Sequence, residues 1–345
     1  SVKHRTHAQR RAGPPRRASI SSRENAAYRA IFKPRGVGTP VIRGGIVTIE
    51  SKGPMAGFGW LQRGVSAGYR HPKPIFGGAL ILLLIVMVPS LVMLPFQFHL
   101  RTTGTPPNPA LLIGFMTGSM LLGLLVVPLY AGYLQVFDAI ERGLPARVID
   151  IFNPYRQGDS LRLIGYGIAL VVIYFALLTI IILAAGRGIV GWYMQVLAAQ
   201  ANHLAPPGLP QGFGIAMALL TVMGLFMMGF YSVSLGQVAL RRRGVFNAIG
   251  DGFLGALKNL LPLLVLAISL VIAWILAVIV IAIVVFVFAL LGMLVGEWLM
   301  WVAIIPVYVA LALVVFAAMF GVMYYLWRDV CGGDTVPGTT QTIAA

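Results

Sequence analysis

Charge is what this chain has least of. Only 10% of its 345 residues are Asp, Glu, Lys or Arg, against roughly 25% in an ordinary soluble domain. Cysteine occurs once, at Cys331, which excludes an internal disulfide framework and any multi-cysteine metal site. The ten acids are Glu24, Glu50, Asp138, Glu141, Asp150, Asp159, Asp251, Glu297, Asp329 and Asp334, and each falls in a tail, a loop or the end of an apolar run. The five histidines are scattered, and only His4 and His7 stand at ligand spacing, with no further ligand beside them. There is no glycine-rich phosphate loop and no nucleophile elbow. The interiors of the long apolar runs hold no Asp, Glu, Lys, Arg or His. Such residues at mid-membrane depth are costly and mark ion or proton pathways. Their absence argues against a proton-coupled carrier and against an intramembrane protease using carboxylates or zinc. No catalytic, cofactor-binding or metal-binding residue is assigned, and no cofactor is expected.

What remains is apolar. The chain is 59% hydrophobic, with a mean hydropathy of +0.88. Six runs are long enough to cross a bilayer. They span about Ile75 to Phe96, Ala110 to Phe137, Ile164 to Ala185, Phe213 to Leu240, Pro262 to Leu291 and Trp298 to Trp327. Pro89, Pro128 and Pro306 stand inside three of them. The fifth is longer than the hydrocarbon core and must tilt or protrude. The fold class is therefore all-α, a six-helix transmembrane domain over residues 55–331, with a flexible tail at 332–345.

Arginine orients the bundle. From residue 55, Arg63, Arg70, Lys73, Arg142, Arg147, Arg156, Arg162, Arg241, Arg242, Arg243, Lys258 and Arg328 fall on one side, and Arg101 and Arg187 on the other. Twelve against two predicts, by the positive-inside rule, that both termini are cytoplasmic. Residues 1–54 carry 12 Lys and Arg against 2 acids and have no apolar period, a composition of disorder. Met55 is the first methionine and the expected start, with 1–54 a basic leader. A transit peptide, which is also rich in Arg and Ser, is the minor alternative. Such a tail has the charge to bind nucleic acid or anionic lipid, but any Arg-rich leader has it, and no nucleic acid is expected.

Two or three short segments on the basic side read as interfacial amphipathic helices. In 57–71, Leu61, Val65 and Tyr69 share a face beside Trp60, which predicts a helix lying on the membrane surface. In 138–163, Val148, Phe152 and Tyr155 align until Asn153-Pro154 intervenes. The third stretch, Arg241 to Leu264, starts with an arginine triplet and runs through a short amphipathic segment into Pro262. Gly64 to Ile75 aligns without gaps to Gly252 to Leu263, with Gly64/Gly252, Arg70/Lys258 and Pro74/Pro262 coinciding. The expectation is a weak hairpin repeat of the kind found in some transporters, with 145–157 a poorer third copy. On the opposite side, Trp192 to Leu204 reads as a short amphipathic piece.

Gly114/Gly118, Ser119/Gly123 and Gly292/Gly296 have small-xxx-small spacing, for which packing within the bundle is the expected use. Ser232, Ser234 and Gln237 are the densest polar group inside a span, expected to bond a neighbouring helix or to line a small cavity. Arg147, Arg156, Arg162, Arg241, Arg242, Arg243 and Lys258 are the candidate contacts for anionic lipid headgroups or a cytoplasmic protein partner.

Three stretches carry a resemblance: GWLQRGVSAGYRHP before the first span, GLPARVIDIF after the second and YYLWRDV at the end of the sixth. With them the chain resembles, over about residues 57–331, a family of uncharacterised bacterial inner-membrane proteins. The resemblance implies a bacterial inner-membrane location and brings no activity.

Charge-free spans, no catalytic constellation and much interfacial helix favour a non-enzymatic membrane protein acting by binding, as an accessory subunit or a lipid-organising component. The repeat and the three prolines motivate the alternative, a passive or lipid-like transporter with an apolar path. An enzyme would need His99, His203 or Glu297 grouped at the outer face.

Overall fold

A computed structural model describes residues 48–91, 94–95, 98, 109–185, 187–201, 204–296 and 298–332. Of the stretches read above, residues 1–47 of the leader, the tail from 333, Arg101, His99, His203 and Glu297 lie outside the described residues. The described residues belong to the unit Ile46–Ala345. They are helical, with no strand among them.

The helices are α1 (Ala56–Arg70), α2 (Pro72–Leu91), α3 (Pro109–Glu141), α4 (Asn153–Arg156), α5 (Ser160–Ala185), α6 (Arg187–Ala201), α7 (Phe213–Leu240), α8 (Val245–Lys258), α9 (Leu260–Val295) and α10 (Trp298–Cys331). A 3-10 turn, Val148–Phe152, leads into α4. Six of them, α2, α3, α5, α7, α9 and α10, are long and apolar enough to cross a membrane. The chain is a multi-pass integral membrane protein. The boundaries sit within a few residues of those read from the apolar runs. α9 has 36 residues, about 54 Å at 1.5 Å each, and ends where Gly296 takes φ +131°, a conformation that side-chain-bearing residues avoid.

Burial is uneven along the spans. The core comprises Ile75 to Leu82 of α2, Leu124 to Ile140 of α3, Leu163 and Tyr166 of α5, Phe230 to Ala239 of α7, Leu263 and Leu266 of α9, and Ala317 to Cys331 of α10. Apart from Ala216 at the far end of α7, the buried apolar side chains of the spans lie in the halves nearer the arginine-rich loops. The other halves present large apolar side chains such as Met116, Ile180, Val222, Phe286 and Ile305. In hydrocarbon such surface carries no penalty, so only the basic half of the bundle is tightly packed.

Glycine sets that packing. A Cβ on Gly132 of α3 would overlap the Ile151 carbonyl oxygen of the 3-10 turn. One on Gly57 of α1 would overlap the Pro262 carbonyl oxygen of α9, and one on Gly321 of α10 would lie 2.6 Å from Gly64 Cα of α1. α1 therefore packs one face closely on the bundle. Its buried face is Gly57, Trp60, Gly64, Ala67 and Gly68, and it docks on α9 and α10. The stripe read as its apolar face is split: Tyr69 is exposed, while Leu61 and Val65 line a cavity. Small residues, invisible to a hydrophobic pattern, make the closer contact because they let backbones meet.

The small-xxx-small expectation is overturned at Gly114, Gly118, Gly123 and Gly292, where an added Cβ would meet nothing within 4 Å. Intramolecular packing is carried by other glycines. Ser119 does reach a neighbour, donating to the Pro89 carbonyl at 3.2 Å.

Candidate functional site

The packed half is tied by a ring of charge-assisted bonds. Arg63 of α1 makes a two-pronged pair with Asp329 of α10, and Trp60 donates from Nε1 to the same carboxylate at 2.9 Å. Arg63 also lies 5.0 Å over the Tyr325 ring. One turn earlier on α10, Tyr325 donates to Glu141 at 2.6 Å, and Arg328 pairs with the same carboxylate at 2.6 Å. Tyr324 donates to Asp138 at 3.2 Å. The stretches around Trp60, Glu141 and Trp327, far apart in sequence, are thus direct partners. Sequence reading treated them as separate motifs, and nothing in their spacing could have paired them.

The candidate headgroup residues are mostly spoken for. Arg162 donates to the Arg242 and Val238 carbonyls at 3.0 and 3.3 Å and lies 3.4 Å from Asp159. Arg242, at φ 53°, donates to Gln157 at 2.9 Å and pairs with Asp159 at 2.9 Å. Arg243 pairs with Asp251 at 3.0 Å. Together they fasten the end of α7 to the start of α5 and the middle of α8. The Arg147 backbone N–H donates to Asp150 at 2.7 Å, closing the 3-10 turn. Lys258 donates to the Ile49 carbonyl at 3.2 Å. Arg241 lies 6.0 Å from the Trp327 ring. Arg156 is exposed. Burial raises the Asp251 carboxyl above its ordinary value, opposed by Arg243 and Arg241.

Residues just ahead of Met55 are docked as well. The Asn259 amide donates to the Glu50 carbonyl at 3.0 Å and accepts from the Lys52 N–H at 2.8 Å. Ser51 donates to the Lys258 carbonyl at 3.0 Å, and the Glu50 N–H to Val330 at 3.0 Å. This short strap joins the end of α10 to the α8–α9 junction.

The intraspan polar group divides. Ser234 is buried and sits 2.6 Å from the Tyr166 hydroxyl of α5. Gln237 donates to Asp251 of α8 at 3.1 Å. Both bond neighbouring helices. Ser232 donates back to the Met228 carbonyl at 2.6 Å, a bond within α7, and lines the cavity.

That cavity holds about 830 Å³. Its walls come from α1, α5, α7, α9 and α10, through Leu61 and Val65, Leu170 to Phe175, Met227 to Ser232, Leu270 to Ala277, and Leu311 to Met323. α5 packs on α3 and α7, and α9 on α1, α7 and α10, while any contact between α5 and α9 is slight. The cavity occupies the space they leave. Tyr174, Tyr231 and Ser232 supply its side-chain hydroxyls; the rest of the lining is hydrocarbon, indole and thioether. A cleft of about 40 Å³ between α9 and α10, near Tyr308, is too small for more than a methyl group or two. Sequence reading missed the large cavity because its lining is ordinary span composition. The signal available was the cluster of methionines at 227, 228, 319 and 323, which takes on meaning only once α7 and α10 are adjacent.

Among the described residues no three His, Cys, Asp or Glu side chains gather as a metal site. No protein-family model matches the chain, and no curated protein or solved structure is significantly similar to it. The chain is thus defined by its own architecture, a six-span helical membrane protein with an apolar cavity beside its packed half.

Proposed function

We propose that this protein acts by binding membrane lipid, as a non-enzymatic lipid-organising component of a bacterial inner membrane, with its packed, arginine-rich half at the cytoplasmic face. The observation that carries the reading is the cavity of about 830 Å³, walled by four spans and α1 and almost free of polar groups. A space of that size within the hydrocarbon layer, lined this way, suits an apolar chain and no polar solute. The asymmetry of basic residues supports the orientation. With Arg162, Arg242 and Arg243 held by acids, headgroup contact falls first to exposed Arg156.

The test is native mass spectrometry of the full chain extracted in its own lipid. Retained lipid is expected in the wild type. Ala277→Phe, which intrudes on the cavity from α9, is expected to retain less of it while still folding. A bare wild type, or equal retention by the variant, refutes lipid holding, and a stoichiometric second protein makes the chain a subunit. The alternative, a passive lipid-like transporter, requires movement of lipid or solute in a liposome flux assay, and none is expected. The close packing of the basic half supports holding over passing.

A further inference from the structure

We propose that the occupant of the cavity is a membrane-soluble amphiphile of the quinone class, a flat ring bearing carbonyl oxygens on a long apolar tail. This rests on the lipid-binding reading and narrows it. The first observation is the Tyr231 hydroxyl. Tyr231 lines the cavity, and its hydroxyl has no hydrogen-bond partner among the described residues. Its neighbours differ: Tyr133 donates to the Ile75 carbonyl at 2.8 Å, and Tyr166 is bonded to Ser234. An O–H left unpaired in hydrocarbon is costly, and no water is at hand there to relieve it. A ligand that supplies an acceptor at that point recovers the bond. Ser232, next to it, already donates to Met228, which leaves Tyr231 and Tyr174 as the cavity residues whose hydroxyls can donate to a ligand.

Depth excludes the commonest acceptor. Tyr231 lies ten residues before Arg241 on α7, about 15 Å along the helix axis and close to half the roughly 30 Å hydrocarbon core. The ester carbonyls of a phospholipid sit at the edge of that core, so a phospholipid places only methylenes beside Tyr231. The acceptor must belong to a molecule that carries its oxygen into the membrane interior. The walls suit a flat ring. Met227, Met228, Met319 and Met323 surround the site, and thioethers adapt to π faces with a favourable sulphur–ring contact. Trp274 faces them from α9 and offers a stacking surface. The tail then leaves between α5 and α9, whose mutual contact is slight.

Trp274 also supplies the assay, because quinones quench indole fluorescence. The full chain in detergent would be titrated with a decyl-substituted benzoquinone and, separately, with decylbenzene as competitor. Expected are saturable quenching that Trp274→Phe removes and tighter binding of the quinone than of decylbenzene. Tyr231→Phe should weaken the quinone about tenfold, the worth of one hydrogen bond, and leave decylbenzene unchanged. Equal affinity for the two ligands in the wild type, or no change in Tyr231→Phe, overturns the quinone assignment while lipid binding stands. Binding of neither ligand overturns both. Should Tyr231→Phe fail to fold, the lipid released from the purified wild type decides. A quinone supports the proposal, and acyl lipid alone refutes it.

Discussion

At the scale of the residue, glycine decides which surfaces touch. Two sets of helical glycines have opposite surroundings. Gly57, Gly132 and Gly236 are pressed against the Pro262 carbonyl, the Ile151 carbonyl and the Trp327 ring, whereas Gly114 and Gly118 face open space. A methyl group on the first set must push backbone or a large ring aside. Overpacking of that kind costs about 1–3 kcal/mol or more. Gly132→Ala and Gly236→Ala are therefore expected to lower stability by at least about 2 kcal/mol, while Gly118→Ala stays within about 0.5 kcal/mol of wild type. Thermal unfolding in detergent measures both. Equal effects in the two sets would mean that the close contacts of α3 and α7 do not limit stability. The spacing of small residues was visible in the chain, but which of them meet a neighbour depends on helix rotation, which spacing does not encode.

At the scale of the element, α1 is held by one carboxylate. Asp329 receives Arg63 and Trp60 together, and the two glycines beneath let α1 sit against α9 and α10. The Arg63 side chain is 37% exposed and Asp329 22%, so solvent screens part of the attraction. Removing one partner of a fully buried pair costs 3–5 kcal/mol, and an exposed pair is worth less than about 1 kcal/mol. Arg63→Met should fall between, at about 1–2 kcal/mol. Because α1 also supplies Leu61 and Val65 to the cavity, the variant should release bound lipid faster as well. A double-mutant cycle with Asp329→Asn checks the coupling, and additive effects would show that α1 is held by its glycine contacts alone. The basic residue and the acid were legible as residues. Their pairing across 266 positions was not.

At the scale of the whole molecule, the native cysteine offers a route to orientation. Cys331 is buried at 1%, and burial makes a thiol unreactive, so introduced cysteines report alone. Arg156 lies at the arginine-rich end and Leu209, 69% exposed, on the loop at the opposite end. In intact cells, a membrane-impermeant maleimide is expected to label Leu209→Cys and to leave Arg156→Cys unlabelled until the membrane is opened. The reverse pattern would invert the proposed topology.

Six spans, their limits and the side on which arginine gathers were all determined by the sequence alone. The reason is physical: hydrocarbon admits only long apolar helices with satisfied backbones, so length and composition suffice to find them. The sequence also showed Ser232, Ser234, Gln237 and the arginines as the notable polar residues. What each one touches was decided only by tertiary structure, which set Arg162, Arg242 and Arg243 against acids of the same chain. The apolar stripe expected of α1 was split for the same reason. A hydrophobic pattern records which residues avoid water, and inside a membrane water does not choose the interface. There, shape does. Glycines that allow close approach, and an apolar cavity where two helices barely meet, exist only once the helices have been brought together.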